Sequence, residues 1–236
     1  MAAEIQLRAP SFEEMIQRRG MPVLWEKSQK CTCWDDYSGH PTSSCLACHG
    51  VGYLYDAPIE TRNVLIMSLV INKDFTFAGE YRMGDAIATV PKRKYEKDEN
   101  GLWHRPFNAL FDIGEWDKIT LVETEFRTHE TLKLDTPLYG READTLRNEA
   151  VTRVMSVLKA NPETGNITYY AEGTDFTLDG NKLNWDSSAN LETGETYSVL
   201  YYHRPVYIVY TQLPQSRDQD MQQLPKKVVL RYRSEI

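Results

Sequence analysis

The sequence lacks any stretch near the ~20 consecutive apolar residues that a membrane-spanning helix requires. It also lacks an apolar segment behind its first residues, Met-Ala-Ala-Glu-Ile-Gln-Leu-Arg, so neither export nor membrane insertion is expected. The signatures of common enzyme classes are missing. There is no G-x-S-x-G, no Walker loop, no G-x-G-x-x-G and no H-E-x-x-H, and the five histidines form no recognisable catalytic arrangement. Positive charge is in deficit: 27 Lys and Arg against 34 Asp and Glu leave a net −7, which argues against a general nucleic-acid binder. Wholesale disorder is argued against by 41% hydrophobic residues beside 26% charged ones. A chain of 236 residues has room for one large β domain or two modest ones.

Cysteine is scarce too, but its placement is informative. All four copies fall within residues 31–48, in the pattern Cys31-x-Cys33-x11-Cys45-x2-Cys48, followed by His49-Gly50-x-Gly52. Four thiolates so close in sequence suit tetrahedral Zn2+, which closes structural sites with four soft ligands and leaves no position for a substrate water. Cys45-Leu46-Ala47-Cys48 has the spacing of a zinc knuckle. Gly50 and Gly52 remove side chains where the chain bends back past the metal, and glycine accepts the positive φ such a bend requires. The first half, Cys31-Thr32-Cys33, is one residue shorter than C-x-x-C. Two ligand sets therefore stand open: all four cysteines, or three with His40 or His49 in place of the fourth. The competing readings are two disulfides, disfavoured in a reducing compartment, and thiol redox chemistry, for which no βαβ setting is apparent. Residues 45–52 also match the C-x-x-C-x-G-x-G unit of the DnaJ-type chaperone zinc domain. That family uses several copies and this chain has one, so the match implies a shared way of holding zinc rather than chaperone activity.

The rest of the chain reads as mainly β: a small β-barrel with an N-terminal helix and a zinc-stapled loop, plus a second β-rich module. Ser11-Phe12-Glu13-Glu14 has capping-box spacing and predicts a short helix that stops at Gly20, a residue that tolerates the left-handed C-terminal position. Residues 21–25 read as extended. Strands are predicted at 51–55, 64–71, 83–90 and 116–126, with Ile119 and Leu121 on one face and Lys118 and Thr120 on the other. Gly84-Asp85-Ala86-Ile87 and Trp116-Asp117-Lys118-Ile119 read as equivalent strand starts. Residues 91–108, charged and containing Asn100-Gly101, predict a long exposed loop or hairpin. Residues 137–150 look like a connection, and 151–158 fit helix or strand. The rest reads as strand-like too: 167–171 followed by 172–178 up to a turn at Asp179-Gly180-Asn181, then 183–185, 197–202, 206–210 and 226–233. The expected organisation is an arm and helix at 1–30, a cysteine loop at 31–56, a barrel at 57–137 and a C-terminal β-rich module at 138–236.

The remaining candidates have ordinary readings beside functional ones. Lys92-Arg93-Lys94 is the most basic run, a possible lumen or partner loop, or a solvated loop tip balanced by Asp98 and Glu99. His203-Arg204 reads as a surface pair at a strand end. Acid pairs such as Glu13-Glu14 and Asp35-Asp36 read as solvated or capping. The 14 tyrosines read as core packing of half-buried strands, with interfaces as the alternative.

Two stretches resemble virion structural proteins of tailed bacteriophages. Residues 20–27, Gly-Met-Pro-Val-Leu-Trp-Glu-Lys, running into Cys31 to Gly52, resemble the cysteine-bearing N-terminal region of small neck or head-completion proteins. Residues 170–181, then Trp185, Gly194 and Tyr197-Ser198-Val199, resemble a β module of tail and neck components. The Gly84-Asp85 and Trp116-Asp117 strands are similar to the small barrel of head–tail connector stoppers. The resemblance implies a non-enzymatic virion protein, made in the host cytoplasm and placed at the head–tail junction. It implies a homo-oligomeric ring, commonly hexameric, with portal or adaptor protein on one face and tail terminator or tail tube on the other. Genomic DNA would pass through without specific binding, and no membrane is involved. The alternatives are a baseplate or tail-fibre adaptor and, from another class, a zinc-ribbon nucleic-acid-binding protein using Lys92, Arg93 and Lys94.

Overall fold

The computed structural model describes residues 9–68, 84–94, 96–134, 143–186, 189, 191–192, 194–212, 218–219 and 222–233. The chain is mainly β and divides into two units: unit 1 is Met1–Val122 with Tyr207–Ile236, and unit 2 is Glu123–Val206. No helix among the described residues is long and apolar enough to cross a membrane.

Unit 1 opens with α1 (Ala9–Arg19) and β1 (Met21–Glu26). The cysteine-bearing stretch carries β2 (Ser28–Lys30), β3 (Trp34–Asp35), β4 (His40–Pro41) and β5 (Tyr53–Tyr55). After it come β6 (Ile59–Ser68), β7 (Ala86–Val90), β8 (Glu96–Lys97), β9 (Trp103–His104), a 3-10 turn at Ala109–Asp112 and β10 (Lys118–Leu121). Unit 2 carries β11 (Phe126–Lys133), β12 (Ala143–Thr145), β13 (Val151–Ala160), β14 (Ile167–Tyr170), β15 (Phe176–Asp179), β16 (Lys182–Trp185) and β17 (Thr196–His203). The chain returns along β18 (Val206–Gln212), then β19 (Asp218–Gln219), β20 (Gln222–Gln223) and β21 (Lys226–Tyr232).

Six strands close into a barrel in the order β1-β10-β18-β21-β7-β6. A six-stranded barrel has little interior room, and its inward positions accordingly mix small and branched side chains. Ala86 and Ala88 share the core with Val23, Val64, Ile119, Val209, Val228 and Leu230. Leu110 and Ile113, from the 3-10 turn and its C-terminal end, join the same core. Asn108 holds that turn in place: fully buried, its Nδ2 donates to Pro91 O at 2.9 Å and its Oδ1 accepts from Leu110 N at 3.3 Å.

The barrel differs from the expected 57–137. It takes β1 from the stretch assigned to the arm, and β18 and β21 from the stretch assigned to the C-terminal module. Strand pairing across the sequence decides this: Trp25 lies opposite Ile119, and Ile87 opposite Val229. The second module is instead an insertion, and its boundary cuts the predicted 116–126 strand, which breaks between β10 and β11. Thr120, predicted outward, is buried with Ile119 and Leu121. The predicted equivalence of two strand starts is matched locally. Gly84 (φ 99°) and Trp116 (φ 71°) are both left-handed, and each is followed by a buried aspartate and a barrel strand.

Several smaller expectations are corrected. The helix starts at Ala9, so Ser11 lies inside its first turn rather than at the N-cap. Gly20 ends the helix with an ordinary N–H to Ile16 O bond of 2.6 Å, and it is not among the left-handed glycines. Glu13 is neither solvated nor capping: it is buried and paired with Arg105. Residues 151–158 are strand, the outcome their β-branched content favours. Of the predicted 137–150 connection, residues 143–145 form β12. Residues 1–8 of the arm, 69–71 of the second predicted strand, Met83, and 137–142 of the connection lie outside the described residues.

Unit 2 pairs a four-stranded sheet, β11-β17-β13-β14, with a three-stranded one, β12-β16-β15. Their shared core contains Val157, Tyr170, Phe176, Leu183, Tyr197, Val199 and Tyr201, so three of the tyrosines are core here, while Tyr169 is exposed. Trp185 sits among Tyr170, Phe176 and Tyr197, with ring centroids 5.0–5.7 Å away. Buried Asp144 accepts from Tyr197 Oη and from Trp185 Nε1, which satisfies the polar ends of both rings.

Two outcomes test this account. Buried Asp117 accepts hydrogen bonds from Trp25 Nε1, Ser28 N and Gly114 N; Asp117→Ala strands the buried Trp25 donor and two partly buried N–H groups, and is expected to lower unfolding free energy by about 3 kcal/mol or more in denaturant titration. A loss below about 1 kcal/mol would contradict the role given to this carboxylate. The second concerns His203, which burial holds below its ordinary pKa. The unfolded chain takes up a proton near pH 6.5 while the folded one resists it, so stability is lost as pH falls below about 6.5. His203→Gln is expected to flatten that acid limb in thermal melts followed from pH 7.5 to 5.

Candidate metal centre

The cysteine stretch folds as two nested hairpins. β2 pairs with β5, placing Lys30 opposite Tyr53, and inside them β3 pairs with β4, placing Trp34 opposite Pro41. The cysteine pairs therefore sit where the outer hairpin hands over to the inner one, on opposite sides of the same junction. Each pair lies at a chain turn: Trp34 N donates to Cys31 O at 3.0 Å, and Val51 N donates to Cys48 O at 3.0 Å. The turn at Cys31 explains how a pair with only one intervening residue still converges. Reversing the chain at Thr32 brings Cys31 and Cys33 to one side, so the missing residue of a C-x-x-C is not needed. Cys33 O also anchors Thr42 through its N–H and its hydroxyl, both at 3.2 Å.

The four sulfurs all lie within 4.8 Å of one another. Cys31 Sγ is 3.9 Å from Cys45 Sγ, and Cys33 Sγ is 3.4 Å from Cys48 Sγ. Both separations far exceed the ~2.05 Å of a disulfide, and all four residues are free cysteines. The cluster can hold a metal ion, and its members are the four cysteines; neither His40 nor His49 belongs to it. Cys31 and Cys48 are buried, and Gly52 N donates to Cys48 Sγ at 3.3 Å, the kind of bond that supports a thiolate ligand.

The electrostatics fit a site that wants a cation. Backbone N–H groups of Cys48 and Ala47 lower the Cys45 thiol to about 6. Burial, followed by hydrogen bonds from the neighbouring sulfurs, raises Cys33 to about 12. One thiol ionises readily on its backbone donors and another resists because burial and its sulfur neighbours disfavour its anion, and a bound cation would offset that penalty.

The glycines predicted beside the metal act by making room. Gly50 and Gly52 have φ of 82° and 84°, and His49 before them is also left-handed at 51°. A Cβ on Gly50 would lie 2.8 Å from Ser43 O, and one on Gly52 would lie 2.7 Å from the Trp34 ring. Trp34 in turn meets Tyr53 at 5.5 Å, and Tyr53 stacks on Trp116 at 4.7 Å with planes 13° apart. Sequence reasoning missed this aromatic support and the carboxylate beneath it. Asp117 Oδ1 accepts from Ser28 N at 2.8 Å and Ser28 Oγ at 3.0 Å, while Oδ2 accepts from Trp25 Nε1 at 2.8 Å and Gly114 N at 2.9 Å. The signal was present in the Trp116-Asp117 echo of Gly84-Asp85.

The other predicted residues lie elsewhere. Lys92, Arg93 and Lys94 are at the base of the β8–β9 hairpin rather than its tip, bridged to residues 106–108 by Lys94 N to Pro106 O and Asn108 N to Lys92 O, both 2.9 Å. His203 is not a surface residue: it is buried, with Nε2 3.0 Å from Thr128 Oγ1 and Nδ1 3.2 Å from Arg204 O.

The geometry makes a discriminating test. Gly52→Ala drives a methyl group into the Trp34 ring, and is expected to weaken metal binding at least severalfold in chelator competition. Gly39→Ala, also left-handed but with nothing within 4 Å of its Cβ, carries only the ~1–2 kcal/mol cost of that conformation and is expected to leave binding near wild type. Compared with protein-family models and with curated proteins, the chain matches none.

Proposed function

We propose that this chain is a structural protein of a tailed-phage virion, acting without catalysis as one subunit of a homo-oligomeric ring at the head–tail junction. The observation that carries the mechanical reading is the four-sulfur cluster. Its ligands come from both turns of the nested hairpins, and a cation they surround has no position left for substrate or water. The ion proposed is structural Zn2+, which bonds thiolates at about 2.3 Å and so sets sulfur–sulfur edges of about 3.8 Å. The 3.4 and 3.9 Å separations bracket that edge. A metal held this way rigidifies a lobe too small to support a core of its own.

The placement in a neck rests on the resemblance of residues 20–52 and 170–199, and a side-chain-filled barrel next to the cysteine lobe suits a load-bearing ring. Portal or adaptor protein would contact one face and tail terminator or tail tube the other. The acidic balance suits a conduit in which DNA slides without sticking, because like charge repels the phosphates. The ring reading accordingly expects acidic side chains toward the channel.

Two measurements test the reading. Elemental analysis of purified protein is expected to give about one zinc per chain. Cys45→Ser and Cys48→Ser are expected to lower both the thermal midpoint and assembly. A folded, metal-free wild-type protein would refute the zinc assignment. Antibody labelling of intact virions is expected to mark the head–tail junction. Labelling at the tail tip would instead favour the baseplate or tail-fibre adaptor, and salt-sensitive duplex binding weakened by changes at Lys92, Arg93 and Lys94 would favour the zinc-ribbon nucleic-acid binder.

A further inference from the structure

We propose that the outward face of the four-stranded sheet in unit 2 is the docking surface for the β8–β9 hairpin of a second copy of this chain. The inference rests on the self-assembly in the reading above and adds which surfaces meet.

The face is defined by alternation along β17. Tyr197, Val199, Tyr201 and His203 are buried, so Thr196, Ser198, Leu200 and Tyr202 point to the other side. Register carries that side across the sheet. Arg127 and Lys133 on β11 lie opposite Tyr202 and Thr196. Arg153 on β13 also lies opposite Tyr202, with its guanidinium 4.3 Å from the ring centroid, and Leu158 lies opposite Ser198. Tyr169 on β14 pairs with Leu158, and Ile167 is two residues along on the same side. No aspartate or glutamate occupies an outward position on these four strands, although the chain is net negative. Glu125, before β11, reaches Arg153 at 3.5 Å from the margin. The face thus has a basic half along β11 and an apolar half along β14, where Ile167 and Tyr169 are 54% and 67% exposed.

The hairpin offers the opposite pair of features within nine residues. Leu102 and Trp103, adjacent in sequence, are 68% and 64% exposed and form a small contiguous apolar patch. Its tip carries Asp98 and Glu99. The turn is preorganised, since Asp98 Oδ1 accepts from Asn100 N at 2.9 Å and Leu102 N at 2.7 Å. Its base is tied down by the Arg93–Phe107 bridge and by the Arg105 pair with Glu13. An arm tied at its base and closed by a hydrogen-bonded turn loses less entropy on docking than an open loop. Leu102 and Trp103 meet the Ile167, Tyr169 and Leu158 side, while Asp98 and Glu99 are directed to the basic half of the face along β11. A nucleic acid would use the basic half but gain nothing from exposed aliphatic side chains, so the apolar half favours a protein partner.

Sedimentation of the full-length protein over a concentration series tests the proposal. Wild type is expected to self-associate. Trp103→Ala, the arm reversal Glu99→Lys, which leaves the Asp98 turn bonds in place, and the face reversal Arg127→Glu/Lys133→Glu are each expected to weaken association about tenfold or more. Wild-type thermal midpoints would show that each variant still folds. Mixing the arm-reversed and face-reversed proteins is expected to restore a complex, because the exchanged charges again oppose. Association untouched by all three variants would overturn the surface assignment while leaving ring assembly intact. A wild type that stays monomeric throughout would overturn the second copy as occupant, and virion labelling would still judge the neck placement separately. Duplex DNA binding by wild type that is lost on face reversal would assign the face to nucleic acid and overturn the proposal.

Discussion

The cysteine lobe owes its position to a buried carboxylate. Asp117 follows a left-handed residue at the start of β10 and accepts four hydrogen bonds, from the Trp25 ring on β1, from the backbone and hydroxyl of Ser28 where the lobe begins, and from the Gly114 backbone. A buried carboxylate without such partners would be strongly destabilising, and with them it locks three chain segments to one point. The left-handed turn at Trp116 also lays its indole on Tyr53. From there contacts run to Trp34, to the space over Gly52, and to the Gly52 N–H that meets Cys48 Sγ. The barrel and the four-sulfur cluster are thus linked by a continuous set of polar and aromatic contacts.

That linkage bears on what a metal ion would do in the cluster. The lobe contains four strands of two or three residues, too little backbone pairing for stability on its own. The carboxylate and the aromatic stack support it on one side, and a cation held by both cysteine pairs would close the other. In this arrangement the chemistry of the cysteines serves rigidity, in keeping with the structural role proposed for the whole chain.

Several elements were legible in the sequence because they depend on near neighbours. The cysteines converge through turns of three or four residues, so spacing alone identified the cluster. Alternating runs identified strands, and Asn100-Gly101 identified a hairpin. His203 and Glu13 were misread because a side chain's exposure depends on what packs over it, and both partners, Thr128 and Arg105, lie more than 70 residues away. The Trp116-Asp117 echo was visible as a pattern, but its importance came from donors on Trp25 and Ser28, about 90 residues upstream.

The sequence by itself determined the mainly β character, the confinement of a cysteine-rich cluster to residues 31–48 and the two residues, Gly50 and Gly52, that let the chain pass beside it. These follow from local sterics and from ligand chemistry, which act over a few bonds. Only the tertiary structure decided which strands form the barrel, that unit 2 is an insertion rather than a C-terminal module, and that all four cysteines rather than a histidine make up the cluster. Barrel closure joins β1 to β10 and β7 to β21 across long stretches of chain, and such pairing is chosen by how a closed core packs, a property no short segment carries.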